Sequence, residues 1–209
     1  MSDKEKKGSK KLFQSVTSQK KEMFEQLAEE LQGEYISKSF TRAPGLRTKS
    51  GAWIIQADGM DDGMGTAYTR IRTLFLNRSG IKFRLYQEGG FQKLAKKMGL
   101  SDIQVGRKDL DEAFIIQGDD PAKIKELLDD DVLSQLMLSL PNGSWYVLRK
   151  GPENIRSYPK GVDLLLFQHP RTKNDLEVTR KALAIHTMLL QRMVELEMAF
   201  STDPKVELR

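Results

Sequence analysis

Apolar side chains recur in two different rhythms along this chain, and each rhythm predicts a different kind of element. From 13 to 32 they recur every three or four residues, which predicts an amphipathic helix that ends at Gly33. A longer pattern of the same kind predicts a final helix over 174–199. Between these helices, apolar or alternating runs bounded by turn formers predict strands. We interpret as strands the runs 35–40, 53–57, 68–77, 81–86, 112–117, 145–149 and 162–167, with 103–105 as a fragment.

Shorter helices are predicted between these strands. One covers 91–98, where apolar and basic residues alternate at helical spacing. Asp119-Asp120-Pro121 predicts the start of a second helix, 121–128, because an acidic side chain can cap a first turn and proline fits the first helical position. The acidic run 129–131 precedes a third helix, 132–140.

This order of elements predicts an α+β fold. The expected architecture is a mostly antiparallel sheet, or a partly closed barrel, of about seven strands with inserted short helices. The N-terminal amphipathic helix and the long C-terminal helix would pack on it. A parallel, doubly wound sheet is not expected, because strands and helices do not alternate regularly. We divide the chain into a basic flexible arm, 1–12, a single α+β domain, 13–200, and a C-terminal tail, 201–209.

The strands 68–77 and 81–86 suggest a hairpin, because a short run of turn formers, Asn77-Arg78-Ser79-Gly80, separates them. Side chains alternate between the two faces of a strand, so the apolar positions of this hairpin share one face. The opposite face would carry four basic side chains, with Tyr68 and Tyr86 beside them. The four candidate anion-binding residues are Arg70, Arg72, Lys82 and Arg84.

The final helix is apolar around most of its circumference between 182 and 200, whereas a surface helix usually has one apolar stripe. The sheet can cover one side of this helix. The other side needs a second cover, for which the sequence leaves two candidates: the helix 13–32, or a second copy of the chain. The second candidate predicts self-association through the C-terminal helix.

The charge of the chain is unevenly distributed. The 209 residues carry a formal net charge of +5 and contain no cysteine. The first 22 residues hold seven lysines against three acids. The segment 68–108 holds ten basic side chains against two acidic ones, and 109–140 holds nine acidic against two basic. A basic arm or patch can attract nucleic acid or other anions.

Several classes of site and location are disfavoured. Absence of cysteine excludes disulfides, thiol nucleophiles and cysteine metal sites. No stretch resembles a secretory signal or an uncharged span of about 20 residues, so we expect a cytoplasmic protein without a membrane span. The two histidines, His169 and His186, stand in no metal-binding or catalytic motif. We expect no catalytic residue, cofactor or metal.

One acidic loop keeps a metal-dependent enzyme among the hypotheses. Asp58, Asp61 and Asp62 lie in a glycine-rich stretch, 58–65, and hard divalent cations prefer oxygen ligands. Their spacing does not match a calcium-binding loop, and the same residues are typical of turns.

Three hypotheses therefore follow from the sequence. The first is a non-catalytic binding or scaffold protein that self-associates. The second is an anion-binding module for nucleic acid, an anionic lipid surface or a phosphorylated ligand, acting through the hairpin face. The third is an enzyme that depends on a divalent cation held by the Asp58–Asp62 loop.

Overall fold

A computed structural model describes residues 20–39, 43–61, 67–87, 101–149, 158–170 and 175–208. Within these ranges, nine strands form one sheet and five helices accompany it. The strands are β1 (Glu34–Ile36), β2 (Gly45–Ser50), β3 (Trp53–Asp61), β4 (Ala67–Leu76), β5 (Phe83–Tyr86), β6 (Ser101–Asp102), β7 (Ile115–Gly118), β8 (Ser144–Leu148) and β9 (Val162–Pro170). The helices are α1 (20–30), α2 (Lys108–Ala113), α3 (Pro121–Leu128), α4 (Asp131–Leu138) and α5 (Asp175–Glu195).

The sheet is antiparallel throughout and open. Its strand order is β1-β2-β3-β4-β9-β8-β5-β7-β6, and every pair of neighbours runs in opposite directions. The end strands β1 and β6 are not neighbours, so the sheet does not close into a barrel. The predicted α+β class and its long C-terminal helix are confirmed. The sheet has nine strands, whereas about seven were expected. One of the additional strands, β6, has only two residues.

The predicted hairpin between β4 and β5 is wrong. β4 pairs with β3 on one side and with β9 on the other, so β9 and β8 lie between β4 and β5. The loop after β4 is nevertheless tight. Asn77 uses its side chain to hold the loop, because Nδ2 donates to the carbonyl of Ile81 at 2.8 Å and Oδ1 accepts from Gly80 N–H at 2.8 Å. The turn therefore forms from local contacts, but β5, which follows it, pairs with β8 and β7 and not with β4.

Two elements differ from the sequence prediction because polar residues dominate them. β2 is not among the predicted strands, and only Leu46 and Gly45 are buried in it. It forms because the two-residue turn after Ser50, in which Gly51 has φ of 58°, returns the chain directly into β3. α2 occupies the beginning of the predicted strand 112–117, which starts only at Ile115.

Both predicted helix starts near the acidic segment are confirmed. The Asp120 carboxylate accepts a hydrogen bond from Lys123 N–H at 3.1 Å, with Pro121 as the first residue of α3. The Asp130 carboxylate caps α4 in the same way, through Leu133 N–H at 2.8 Å. These contacts satisfy backbone donors that a first helical turn leaves without partners. The predicted helix 91–98 and the arm 1–12 lie outside the described residues.

The helices pack against one face of the sheet, which we call the helix face. α5 buries its apolar side chains there, and the other helices complete the same core. α1 contributes Phe24 and Leu27, and the Arg180 guanidinium in α5 binds the Glu30 carboxylate at 2.9 Å. α3 and α4 also contact α5. The apolar surface that suggested self-association is therefore covered within the chain, and self-association itself stays a prediction.

The opposite face of the sheet, which we call the second face, has a smaller apolar cluster. Leu74, Leu148, Val162 and Leu164 form the part of it that we call the apolar patch, and Tyr146 and Leu166 belong to the same cluster. The chain turns sharply after α5 and returns to the sheet, where Phe200 N–H donates to the Leu76 carbonyl at 3.0 Å. Residues 201–208, which we call the tail, then pass over the apolar patch, with Val206 and Leu208 packed against it.

Candidate functional site

A group of polar side chains lies on the second face, at the end of the sheet away from the apolar patch. Register defines it, because residues paired across antiparallel strands project to the same side. One row runs Asp58–Arg70–Gln168–Ser144, and the next runs Gln56–Arg72–Leu166–Tyr146–Arg84–Gln117. We call the buried polar members of these rows the polar patch: Gln56, Asp58, Arg70, Arg72, Arg84, Ser144, Tyr146 and Gln168.

At one side of the polar patch, the Asp58 carboxylate binds two arginines. Its Oδ1 accepts from Arg70 Nε at 2.7 Å, and its Oδ2 accepts from Arg70 Nη2 at 3.0 Å and Arg72 Nη2 at 2.6 Å. All three side chains are buried, with residue exposures of 2%, 7% and 6%. Burial lowers the pKa of Arg72, while the Asp58 charge acts in the opposite direction. One carboxylate thus faces two guanidinium groups.

Arg84 lies on the far side of the same row. Three strand spacings separate it from Arg72, which places their Cα atoms about 14 Å apart. Arg84 is 4% exposed, its Nε donates to Gln117 Oε1, and its guanidinium lies 5.8 Å from the centre of the Tyr86 ring. A cation over an aromatic ring at this distance is a favourable contact.

Two uncharged members of the polar patch lack partners. Gln168 is 2% exposed, and neither atom of its amide makes a hydrogen bond within the described part of the chain. Tyr146 is 1% exposed, and its hydroxyl makes no hydrogen bond of normal geometry there either. Burial raises the pKa of Tyr146 to about 12, with the Ser144 hydroxyl and the Arg84 charge acting against this rise. The phenol is therefore neutral at physiological pH and can donate a hydrogen bond to an acceptor.

Three of the four predicted anion-binding residues lie on the polar patch. Arg70, Arg72 and Arg84 do share one face of the sheet, with Tyr68 and Tyr86, although not through the predicted hairpin. Lys82 precedes β5 and lies near acids, since its N–H donates to Asp119 Oδ1 at 2.8 Å and its charge acts on Asp163.

The partners that sequence reasoning missed are Gln168, Tyr146, Ser144 and Gln56. Alternation could have identified two of them, since Gln56 and Tyr146 each stand between inward-facing apolar residues of a predicted strand. Ser144 and Gln168 lie just outside the predicted strands 145–149 and 162–167. We had assigned no faces to β8 and β9, so these side chains could not be grouped with the arginines.

The predicted acidic loop is shorter than expected. β3 continues through Asp58 to Asp61, so Asp58 is a strand residue committed to two arginines rather than a loop ligand. The Asp61 side chain and Asp62 lie outside the described residues. In the parts of the chain that the structure describes, no cluster of three or more histidine or acidic side chains could hold a metal ion.

The two histidines have structural surroundings. His186 is fully buried against the helix face, where its Nε2 is 2.9 Å from Thr73 Oγ1, and burial lowers its pKa to about 3. His169 is 3% exposed at the end of β9. Its ring nitrogens face the carbonyls of Pro170 and Pro141, the latter at 3.0 Å. His186 therefore contacts a hydroxyl inside the apolar core, and His169 contacts two backbone carbonyls.

Comparisons with known proteins identify the fold but no family. The sequence matches no protein-family model and no curated protein. Among solved structures, the chain is similar to the mycobacterial trehalose monomycolate transport factor A, with a TM-score of 0.51 and 9% sequence identity. The match covers 91% of this chain and 98% of that protein. The likeness concerns the fold alone. Within the described ranges, no helix has the length and apolarity needed to cross a membrane.

Proposed function

We propose that this protein is a binding protein that holds a small anionic ligand against the polar patch. The observation that carries the proposal is the buried Gln168 amide, which has no hydrogen-bond partner among the described residues, beside the buried Tyr146 hydroxyl, which makes no hydrogen bond of normal geometry there. A buried polar group without a hydrogen bond costs about 1–3 kcal/mol, so a stable fold keeps such groups where something else uses them. A ligand that accepts from Tyr146 and exchanges hydrogen bonds with Gln168 would supply the missing partners.

The charge of the surroundings favours an anion. Among the described members of the polar patch, Arg70, Arg72 and Arg84 carry three positive charges near Gln168 and Tyr146, and Asp58 carries one negative charge. Guanidinium groups donate in a planar fork that suits phosphate and carboxylate oxygens. A phosphorylated or carboxylated small molecule therefore fits the polar patch better than a neutral one.

Burial favours a small ligand over a polymer or a membrane surface. The three arginines are at most 7% exposed, whereas nucleic acid and bilayer surfaces need side chains that project from the protein. This argument narrows the anion-binding hypothesis to a phosphorylated or carboxylated ligand. Scaffolding through the C-terminal helix is the weaker proposal, because α5 already packs against α1, α3, α4 and the sheet.

The test combines ligand binding with stability in the same variants. Tyr146→Phe and Gln168→Met each remove polar atoms while keeping the side-chain volume. Isothermal titration with inorganic phosphate should show at least about a tenfold loss of affinity in each variant, the equivalent of one lost charge-assisted hydrogen bond. The free energy of unfolding without ligand should stay unchanged or rise by about 1 kcal/mol, since an unsatisfied group is removed.

The matched control is Gln135→Met, the same change at an exposed position of α4. It should alter neither phosphate affinity nor stability. The proposal is contradicted if Tyr146→Phe and Gln168→Met both lose 1–3 kcal/mol of stability and bind phosphate as the unchanged protein does. Buried water molecules would then be the partners of these two side chains.

A further inference from the structure

The second face is graded along its strands, from apolar at one end to polar at the other. Three adjacent strands show the same change in successive positions on this face. β3 has Ile54, Gln56 and Asp58; β4 has Leu74, Arg72 and Arg70; β9 has Leu164, Leu166 and Gln168. Register aligns these positions into rows, so the apolar patch and the polar patch are adjacent on one continuous surface, with Leu74 and Arg72 about 7 Å apart along β4.

The tail covers the apolar end of this surface. Its side chains alternate: Pro204, Val206 and Leu208 are partly buried, whereas Asp203, Lys205 and Glu207 are exposed. Between the tail and the sheet runs a small groove of about 60 Å³, whose sheet side includes Ile54, Gln56 and Leu74. Gln56 also donates to Asp58 Oδ2 at 3.3 Å, so the groove borders the polar patch directly.

The tail is attached through side chains. Phe200 N–H makes the last backbone hydrogen bond to the sheet that the described residues contain, to the Leu76 carbonyl. Beyond it, Lys205 N–H donates within the tail itself, to Asp203 Oδ1 at 2.7 Å. Val206 and Leu208 therefore hold the tail mainly by apolar contact. Such a segment opens at lower free-energy cost than one paired in a sheet.

The surface under the tail suits an alkyl chain better than a peptide. It is the face of a sheet, not an edge, so it offers apolar side chains and no free backbone groups for a peptide to pair with. A methylene chain needs no hydrogen bonds and can occupy the space that Val206 and Leu208 now fill. The methylene chain would extend from the apolar patch toward Arg72 and Gln168.

We propose that the ligand is an anionic amphiphile with a single alkyl chain. Its charged head would bind the polar patch, and its chain would displace the tail from the apolar patch. This inference rests on the proposed anion-binding function and adds the chemical class of the ligand. It also gives the tail a role as a cover that the ligand's chain replaces.

The test uses a series of probes with one head and increasing chain length: inorganic phosphate, then ethyl, butyl, hexyl and octyl phosphate, all below their micelle-forming concentrations. Binding to the full chain is measured by isothermal titration. Affinity should rise once the alkyl chain reaches the apolar patch, by at most about fourfold for each added methylene, the factor that corresponds to about 0.8 kcal/mol. Tyr146→Phe should weaken every member of the series.

Variants of the tail separate displacement from simple apolar contact. Val206→Ser with Leu208→Ser loosens the tail, so octyl phosphate should bind severalfold more tightly while inorganic phosphate binds as before. The matched control, Lys205→Ser with Glu207→Ser, changes exposed tail residues without altering the net charge. It should leave both affinities unchanged.

Each outcome has a distinct meaning. If inorganic phosphate binds but affinity does not rise with chain length, the amphiphile is excluded and the anion-binding function stands. If no member of the series binds, both proposals fail. If octyl phosphate binds equally well to the unchanged protein and to Tyr146→Phe with Gln168→Met, the chain alone is being bound, and the inference is overturned.

Discussion

The two faces of the sheet bury polar side chains in opposite ways. On the helix face, His186 and Thr73 contact each other inside an apolar core, and burial keeps the imidazole neutral. On the second face, full charges are buried: two arginines on Asp58, and a third arginine beside Tyr86. Both faces hold buried polar atoms without a hydrogen bond in the described residues, such as His186 Nδ1 and Trp145 Nε1 on the helix face and the Gln168 amide on the second face. The second face differs because it gathers three arginines and a carboxylate, and burying full charges is costly.

The largest effect on stability is expected when the carboxylate between the arginines is removed. Asp58→Asn keeps the shape of the side chain but leaves the buried guanidinium groups of Arg70 and Arg72 without their shared counter-charge. We expect the free energy of unfolding to fall by about 3–5 kcal/mol, measured by urea denaturation. Asp203→Asn, in the exposed part of the tail, should change it by less than about 0.5 kcal/mol. An equal, small effect at both positions would show that Asp58 is not the main counter-charge.

Substitution of two neighbouring leucines in β9 allows the packing of the two faces to be compared directly. Leu164 and Leu165 are both 0% exposed, but Leu164 faces the tail and Leu165 faces the helices. Leu165→Ala should cost about 4 kcal/mol and Leu164→Ala about 2 kcal/mol, because the tail can settle into a cavity more easily than packed helices can. Thermal or urea unfolding measures both. The reverse order would mean that the tail is as rigid as the helix layer.

The smallest expected effect is a pH dependence that belongs to the helix face. Burial lowers the pKa of His186 to about 3, compared with 6.5 for an ordinary histidine. Between these values the unfolded chain binds a proton that the folded protein does not, so stability falls as pH decreases, by up to about 1.4 kcal/mol per unit below pH 6. Above about pH 7.5, where this histidine is neutral in the unfolded chain as well, it adds no pH dependence.

The measurement compares urea denaturation of the unchanged protein and His186→Gln at pH 7, 6 and 5. The stability of the unchanged protein relative to His186→Gln should decrease as pH falls, because only the unchanged protein loses stability through this group. His169→Gln serves as the control, since it replaces the other histidine. Parallel pH profiles for the unchanged protein and His186→Gln would argue against a buried neutral imidazole.

Local signals predicted the elements of this fold well, because their causes are local. Asp120 and Pro121 determine the start of α3 through contacts within four residues. The alternation in β4 correctly separated Thr73 from Arg70 and Arg72. Strand neighbours were not predictable in this way, since Asn77 closes its turn as a hairpin would and β9 still takes the place beside β4. Alternation reports the face of a side chain and says nothing about which strand lies next to it.

The candidate site shows the same limit. The arginines stood out in the sequence because several charges recur at alternate positions. Gln168 and Tyr146 did not stand out, since one amide or one phenol in a strand is unremarkable until its neighbours are known. Their lack of partners depends on side chains from four strands, β4, β9, β8 and β5, that only the folded sheet brings side by side.

The pairing of β4 with β9 also has a consequence for how the chain folds. The Asn77 side chain at the end of β4 binds Asp163, 86 residues further along the chain, at 2.7 Å. The centre of the sheet therefore closes only after a long loop has been brought together, which costs entropy before any contact rewards it. During synthesis, the antiparallel unit β2-β3-β4 must wait with one edge of β4 unpaired until β9 has emerged from the ribosome. Slow folding and a transiently exposed strand edge are thus built into the topology.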